Sequence, residues 1–278
     1  MKNLSLKVVY VTLYPEQYPR VKKIATTLES RGIEFEALTP KIRLKLGNRK
    51  FERLISAFIT YTSFVLQIFL TKANIYWVSN SPATFVMPLI LKKQPYILDY
   101  RSPWPLIIKL EFGKGILSRI AEQLAYAALK YAKVVTLTTS TLLKDVERFE
   151  KRIYVIPNYP EKDSFKPDVS YDQFRKLRGI KKDERVILFM GRLSKIEGVD
   201  ILPTIVEGLL QKSKKILLWI VGDGFLRPEV EELERKFPKN VKFFGWRPHR
   251  EIPNFVNAAD VCIIPFPETP FFHYYNEE

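Results

Sequence analysis

Cysteine and histidine are nearly absent from this chain of 278 residues, which contains only Cys262, His249 and His273. A single cysteine excludes an intrachain disulfide and favours a reducing, cytoplasmic location. The same scarcity argues against a metal centre, because zinc and related sites are built mainly from these two residue types. The N-terminus also lacks a long apolar segment, so we expect no signal peptide.

The excess of basic over acidic residues is concentrated in the first half of the chain. Residues 1–165 hold 26 Lys and Arg against 13 Asp and Glu, whereas residues 166–278 hold 19 against 17, within a net charge of +15. Such an excess favours an anionic partner, namely nucleic acid, a membrane surface or a phosphorylated substrate. Solubility alone is the remaining explanation.

The densest basic run, residues 41–50, contains five cations that alternate with Ile42, Leu44 and Leu46. No cluster of stacking aromatic residues accompanies it, so the run favours peripheral contact with an anionic membrane, at the inner face of the cell membrane, over nucleic acid. An uncharged segment follows at residues 54–71. It approaches the length of a membrane span, but its serine, threonine and glutamine residues favour a buried or interfacial helix.

Short apolar runs alternate with longer helical patterns along the chain, as in repeated βαβ units. The pattern predicts an α/β fold with two tandem, doubly wound, Rossmann-like domains, at residues 1–157 and 171–278, joined by a linker at 158–170. Parallel sheets bind ligands at the carboxyl ends of their strands, so the cleft between the domains is the expected site. The predicted strands are 7–13, 34–38, 75–79, 96–99, 134–138, 153–156, 186–190, 216–221, 241–244 and 261–265.

The end of the apolar strand 186–190 carries the residues best suited to a phosphate. Gly191 lets the backbone approach a ligand closely, and the cations Arg192 and Lys195 follow it. An ordinary junction between a strand and a loop, with solvated charges, is the alternative for this motif taken alone.

Two further loops follow the next predicted strands. Gly222-Asp223-Gly224 ends one strand just before a helix, whose N-terminus favours anions. Phe244, Gly245 and Trp246 end the other and offer backbone and an aromatic face to a nucleotide base. Alone, the first is also compatible with a tight turn and the second with a core aromatic residue.

Taken in order, these segments resemble the C-terminal domain of the GT-B, nucleotide-sugar-dependent, retaining glycosyltransferases, known as group 1 or family 4-like enzymes. The resemblance implies transfer of a sugar from a UDP-, GDP- or ADP-sugar to a hydroxyl of a lipid-linked or polysaccharide glycan, without an obligatory metal or other cofactor. It covers most of residues 150–265, and the first half matches in layout. It rests on Gly191-Arg192-Leu193 with Gly198-Val199-Asp200, on Ile220-Val221-Gly222-Asp223-Gly224, on Asn240-Val241 with Phe243-Phe244-Gly245, and on Ala259-Asp260-Val261-Cys262-Ile263-Ile264-Pro265.

The resemblance also implies roles for individual residues. A departing diphosphate requires fixed positive charge and backbone N–H groups, and a lipid phosphate on the acceptor side requires cations as well. The catalytic candidates are Asp99, Arg192 and Lys195; the donor-binding candidates are Gly191, Gly222, Asp223, Gly224, Phe244, Gly245 and Trp246; the acceptor-binding candidates are Arg20, Arg101, Ser102 and Trp104.

Three departures from the family pattern are visible. Glu197 stands where the family usually has a lysine, and its repulsion of a diphosphate costs about one to several kcal/mol. Arg101-Ser102-Pro103-Trp104 replaces an Arg-Asp-x-Trp motif, which leaves Asp99 as the carboxylate candidate. Family members continue through a paired-glutamate motif, so we expect the second domain to be incomplete and the chain to be truncated.

Two other functions stay open at this point. One is a catalytically inactive remnant that acts as a binding or membrane-associated partner. The other, less favoured, is a basic nucleic-acid-binding protein. A dinucleotide-dependent dehydrogenase is disfavoured because Gly-x-Gly-x-x-Gly is absent from the first predicted βα turn.

Overall fold

The computed structural model describes residues 6–13, 18–41, 50–79, 83–159, 165–166 and 171–268. These residues fall into two compact units, which divide after Tyr159. We call them unit 1 and unit 2. The basic run of residues 41–50 and the predicted linker at 158–170 lie largely outside the described residues.

Within its described residues, unit 1 is a six-stranded parallel sheet with helices on both faces. The strands are β1 (Lys7–Val11), β2 (Glu34–Leu38), β3 (Ile75–Ser79), β4 (Tyr96–Tyr100), β5 (Val134–Leu137) and β6 (Arg152–Val155), and the helices are α1 (Pro19–Glu29), α2 (Lys50–Leu70), α3 (Met87–Leu91), α4 (Trp104–Phe112), α5 (Ile116–Tyr131) and α6 (Leu143–Val146). The strand order is β2-β1-β3-β4-β5-β6.

Alternate side chains of β1 separate two hydrophobic layers, because successive residues of a strand point to opposite faces of the sheet. Val8 and Tyr10 pack with α1 on one face. Val9 and Val11 lie in the larger cluster on the other face, which also contains buried residues of α2, α3 and α5. The strands of unit 1 are therefore covered on both sides, as parallel sheets require.

Helix α2 contains the uncharged segment for which a buried or interfacial helix was predicted, and its two sides differ in exposure. Phe64 and Ile68 are fully buried in the sheet-facing layer, where Phe64 packs edge-on against Phe85. Phe58 and Leu66, on the same helix, are exposed. Among the described residues, no helix combines the length and the apolar character needed to cross a membrane.

Unit 2 contains a four-stranded parallel sheet in its described residues. The strands are β7 (Arg185–Arg192), β8 (Ile216–Asp223), β9 (Val241–Gly245) and β10 (Val261–Ile263), and the helices are α7 (Tyr171–Leu177), α8 (Leu202–Lys212), α9 (Arg227–Lys236) and α10 (Ile252–Ala258). Helices α8 and α9 pack on one face and α7 and α10 on the other. Both units thus have the predicted α/β, doubly wound architecture.

The strand order in unit 2, β10-β7-β8-β9, places a reversal of chain direction beside β7. The chain proceeds from β7 through β8 to β9 in one direction and then returns to place β10 on the other side of β7. Open α/β sheets bind ligands at such a switch point, outside the carboxyl ends of the strands. The loop that follows Arg192 is therefore the expected ligand-binding position in this sheet.

The two-sided character of α2 predicts unequal effects of equivalent substitutions. Phe64→Ala should lower the free energy of unfolding by about 3–5 kcal/mol, because it leaves a cavity in the core. Phe58→Ala, its matched control on the exposed side, should change it by no more than about 0.5 kcal/mol. Urea denaturation measures both, and similar losses from the two substitutions would contradict the assigned orientation of α2.

Candidate functional site

The carboxyl ends of β7 and β8 are locked side by side. Gly191 pairs with Gly222 and Arg192 with Asp223 in the parallel register. Beyond the strands, the Leu193 N–H donates to the Asp223 carbonyl at 2.9 Å, and its own carbonyl accepts from Leu226 at 3.0 Å. The two loops predicted to bind the donor are thus joined to each other by backbone hydrogen bonds.

The close approach of these loops explains the glycines. Gly222 has φ +148°, and a side chain there would overlap the Gly191 carbonyl oxygen. At Gly224 a β-carbon would lie 2.7 Å from the Leu193 nitrogen. Gly198 has φ +72°, and a side chain there would overlap the carbonyl oxygen of Pro265, which follows β10. Packing of backbone on backbone therefore accounts for these three glycines without any ligand.

Arg192 lies at the switch point and is about half exposed, but its guanidinium is engaged within its own loop. Its Nε and Nη2 lie 3.1 and 3.0 Å from Oε1 of Glu197. The buried Ser194 hydroxyl donates to the other oxygen of the same carboxylate. Lys195 is exposed on the same loop. Glu197 therefore neutralises the cation that the sequence assigned to the diphosphate.

Asp223 ends β8 and shapes the start of the following loop. Its Oδ1 accepts from the Gly224 N–H at 2.9 Å and lies 3.8 Å from Nη1 of Arg227, the first residue of α9. Glu229 adds a second carboxylate in the first turn of α9. These two carboxylates reduce the attraction of this helix N-terminus for an anion.

The two aromatic residues predicted to hold a base have different environments. Phe244 packs against Trp219 and Phe255, with ring centroids 5.4 and 5.0 Å away, so it is a member of the core. Trp246 is 67% exposed and presents a free face after β9. Phe225, which the sequence analysis did not select, is 85% exposed in the loop after the adjacent strand β8. The sequence feature that could have identified Phe225 is a large apolar side chain next to the glycines of this loop.

Asp99, predicted as a catalytic carboxylate, is completely buried at the end of β4. Nη2 and Nε of Arg20 lie 2.6 and 3.0 Å from its two oxygens, while the hydroxyls of Tyr10 and Thr136 donate to it at 2.7 and 2.9 Å. Burial, together with the charge of Asp99, raises the pKa of Tyr10 well above its usual value, so this hydroxyl stays protonated. Asp99 thus positions Arg20 within unit 1, and its burial disfavours a catalytic role, which stays a prediction.

Arg20, predicted to contact the acceptor, is the partner that Asp99 positions. It is buried, and its Nη1 donates to the Ile156 carbonyl at 2.9 Å and to Oδ1 of Asn158 at 3.1 Å. Burial opposes the guanidinium charge, but the hydrogen bonds to Asp99 raise the pKa of Arg20 above its usual value. Arg20 thus fixes the segment after β6 to α1 and β4, and its burial leaves little surface for an acceptor.

The other acceptor candidates follow β4. Arg101 donates from Nη2 to the Ser79 hydroxyl at 2.6 Å, and its Nε lies 3.8 Å from Asp99. Ser102 is partly exposed, and its carbonyl accepts from the N–H of Trp104, which is buried in the core at the start of α4. Of these three, Ser102 is partly exposed, the Arg101 side chain retains only 14% of its surface and Trp104 is buried.

A pocket of about 290 Å³ in unit 1 was not foreseen from the sequence. It opens beside Tyr100, the last residue of β4, and its wall includes Leu106, Tyr126, Lys144 and Arg148. The carboxylates of Glu122 and Asp145 line it as well, so its two cations are balanced by two acidic residues. These residues lie too far apart in the chain for a sequence pattern to reveal the pocket.

Comparison with known proteins finds a family match within unit 2. Residues 184–272 match the family model described as Glycosyl transferases group 1. The chain is also 29% identical over 127 residues to an uncharacterized glycosyltransferase of Methanocaldococcus jannaschii, a match that covers 44% of this chain and 32% of that protein. The chain thus spans about a third of the length of this curated relative.

Solved structures share the fold of nearly the whole chain. Sucrose-phosphate synthase from Thermosynechococcus elongatus has a TM-score of 0.70 at 18% identity, covering 96% of this chain and 77% of that one. HepE of Anabaena, in complex with UDP-glucose, has a TM-score of 0.59 at 17% identity, covering 92% and 73%. These findings confirm the predicted GT-B fold and the relationship to group 1 glycosyltransferases.

The surroundings of the glycines predict opposite effects of alanine on the free energy of unfolding at Gly222 and Gly208. Gly222→Ala should lower the free energy of unfolding by more than about 1 kcal/mol, because the backbone conformation and the Gly191 carbonyl both oppose a side chain. Gly208→Ala, in α8 with open space around it, should raise it by about 1 kcal/mol. Chemical denaturation compares them, and a neutral Gly222→Ala would refute the packing explanation.

The buried ion pair predicts that Asp99→Ala destabilises unit 1. Removing the carboxylate leaves Arg20 buried without its counter-charge, which costs about 3–5 kcal/mol. Glu36, whose carboxylate pairs with Lys7 at 2.7 Å on the surface, supplies the control, and Glu36→Ala should have far less effect. Urea denaturation measures both; comparable losses would show that the Asp99 pair is not a structural anchor.

Proposed function

We propose that this chain, whose residues 184–272 match the group 1 glycosyltransferase model, transfers a sugar from a nucleoside-diphosphate sugar to a hydroxyl. The position of Arg192 carries the proposal: a cation at the switch point of the sheet that matches this family. Neighbouring strands β8 and β9 end at the same edge, with the loops that contain Phe225 and Trp246. A diphosphate and a base therefore have chemically suitable partners along one edge.

The chemistry assigns Arg192 to the leaving group. Cleavage of the glycosyl bond transfers negative charge to the departing diphosphate, and a guanidinium stabilises that charge through paired hydrogen bonds. Arg192 must first leave Glu197, because the two are in contact. A diphosphate carries more negative charge than a single carboxylate, so it can compete for Arg192, while Ser194 retains Glu197. Lys195 is the second cation available on this loop.

Aromatic stacking suggests where the base binds, and similarity to HepE suggests which donor is used. Trp246 and Phe225 are exposed aromatic faces suited to a nucleotide base. The UDP-glucose held by HepE supports a UDP-sugar as donor, with GDP- and ADP-sugars as the other choices. The proposed reaction uses no resident cofactor.

The acceptor side of the proposal rests on unit 1. The excess of Lys and Arg in residues 1–165 suits an acceptor with a phosphate or pyrophosphate group, such as a lipid-linked glycan. Arg101, Ser102 and the pocket beside Tyr100 are the surfaces proposed for it, and within that pocket Lys144 and Arg148 must outweigh Glu122 and Asp145. We place the reaction in the cytoplasm, at the inner face of the membrane that carries the acceptor.

Calorimetric titration with UDP, GDP and ADP tests the donor assignment. Arg192→Ala should weaken the preferred diphosphate by roughly tenfold to a hundredfold, the loss of a charged hydrogen bond, and leave the free nucleoside unchanged. Arg185→Ala, at the opposite end of β7, is the matched control and should change neither. Glu197→Gln should strengthen the diphosphate, because it frees Arg192 and removes a negative charge. Failure of all three nucleotides to bind would contradict the donor site.

A further inference from the structure

The two helical layers of unit 1 differ in the surface they present to solvent. On one face of the sheet, α1 exposes polar residues such as Lys22, Thr26 and Glu29. On the other face, α2, α3 and α5 expose large apolar side chains. Those along and beside α2 are Ile55, Phe58, Leu66, Phe69 and Leu70 of α2 and Leu91 of α3.

The exposed apolar residues of α2 form a continuous stripe. Ile55, Phe58, Leu66 and Phe69 are separated by three, eight and three residues, with Thr62 at the intermediate position, so they lie on one side of the helix. Phe58 is 69% exposed and Leu66 58% exposed. We call these residues, with Leu70 and the neighbouring Leu91, the α2 stripe.

Two hydroxyl groups of α2, and the hydroxyl of Thr71 just after it, donate to carbonyls of the helix itself. Thr62 donates to the Phe58 carbonyl at 2.8 Å, and Ser63 donates to the Thr60 carbonyl at 2.9 Å. At the end of the helix, Thr71 donates to the Gln67 carbonyl at 2.7 Å. Such bonds remove the need for water as a partner, so these polar residues do not prevent contact with an apolar environment.

Cations predominate in the sequence around the α2 stripe. Residues 50–98 contain one carboxylate, Glu52, against five cations, namely Lys50, Arg53, Lys72, Lys92 and Lys93. Lys92 is held at the stripe, since its Nζ donates to the Phe69 carbonyl at 2.8 Å and lies 5.3 Å from the Phe69 ring. An apolar stripe bordered by cations is complementary to an anionic lipid surface.

We propose that the α2 stripe is the surface through which unit 1 binds an anionic lipid bilayer, with α2 lying in the plane of the interface. The inference rests on the proposed function, in which a membrane carries the acceptor. In this proposal the main membrane contact is α2, rather than the basic run of residues 41–50 that precedes it. A second copy of the chain fits less well, because pairing two such stripes would place lysines against lysines.

Co-sedimentation with phosphatidylcholine vesicles that contain phosphatidylglycerol tests the inference. The double variant Phe58→Ser/Leu66→Ser should reduce vesicle binding by about tenfold or more, because it removes most of the inserted apolar area. Leu177→Ser, which alters an equally exposed leucine on α7, is the control and should bind as the unaltered chain does. Vesicles of phosphatidylcholine alone should bind the unaltered chain less tightly.

Two further measurements separate the possible failures. UDP, GDP and ADP are titrated into the double variant, and unchanged nucleotide binding is expected because the α2 stripe lies outside unit 2. Intact nucleotide binding with unaltered vesicle binding overturns this inference and leaves the proposed function standing. Sedimentation velocity of the unaltered chain should show a monomer, and a dimer that the double variant dissociates would assign the α2 stripe to a second copy instead.

Discussion

The carboxyl ends of β7 and β8 approach so closely that only backbone fits between them, and the geometry of the donor loops depends on this constraint. A side chain at Gly222 or Gly224 would overlap the backbone of Gly191 or Leu193. A side chain at Gly198, in the loop after β7, would overlap the carbonyl of Pro265. The constraint brings the segments after three strands together at the switch point of unit 2. Arg192 is consequently held at the position where open α/β sheets bind their ligands.

The electrostatics of this loop distinguish the chain from the family pattern it resembles. Glu197 occupies the position of an expected lysine, contacts Arg192 and is retained by Ser194. A donor diphosphate therefore enters a site that already contains an internal anion and must displace it from Arg192. Unit 1 also contains a guanidinium–carboxylate pair, Arg20 with Asp99. This pair is buried, and neighbouring hydroxyls also bind the carboxylate, so its role in the fold is structural.

The sequence predicted the order of strands and helices well, because alternating apolar and polar patterns are local. It also located the glycine loops and Trp246. The buried environment of Asp99 could not be predicted, because its partner Tyr10 is 89 residues away in the chain and only the assembled sheet brings the two together. Phe244 and Trp246 could not be distinguished for a similar reason: contacts with Trp219 and Phe255 place Phe244 in the core. The contact between Glu197 and Arg192 depends on the course of their loop, which spacing alone does not define.

The central claim is that Arg192 exchanges Glu197 for a donor diphosphate. A crystal structure of the chain with bound nucleoside diphosphate tests it most directly, through the distances from the Arg192 guanidinium to the phosphate oxygens and to the Glu197 carboxylate. We expect the phosphate oxygens at about 2.7–2.9 Å, the range of charged hydrogen bonds, and Glu197 separated from Arg192. A diphosphate bound elsewhere, with the pair between Arg192 and Glu197 intact, would contradict the account.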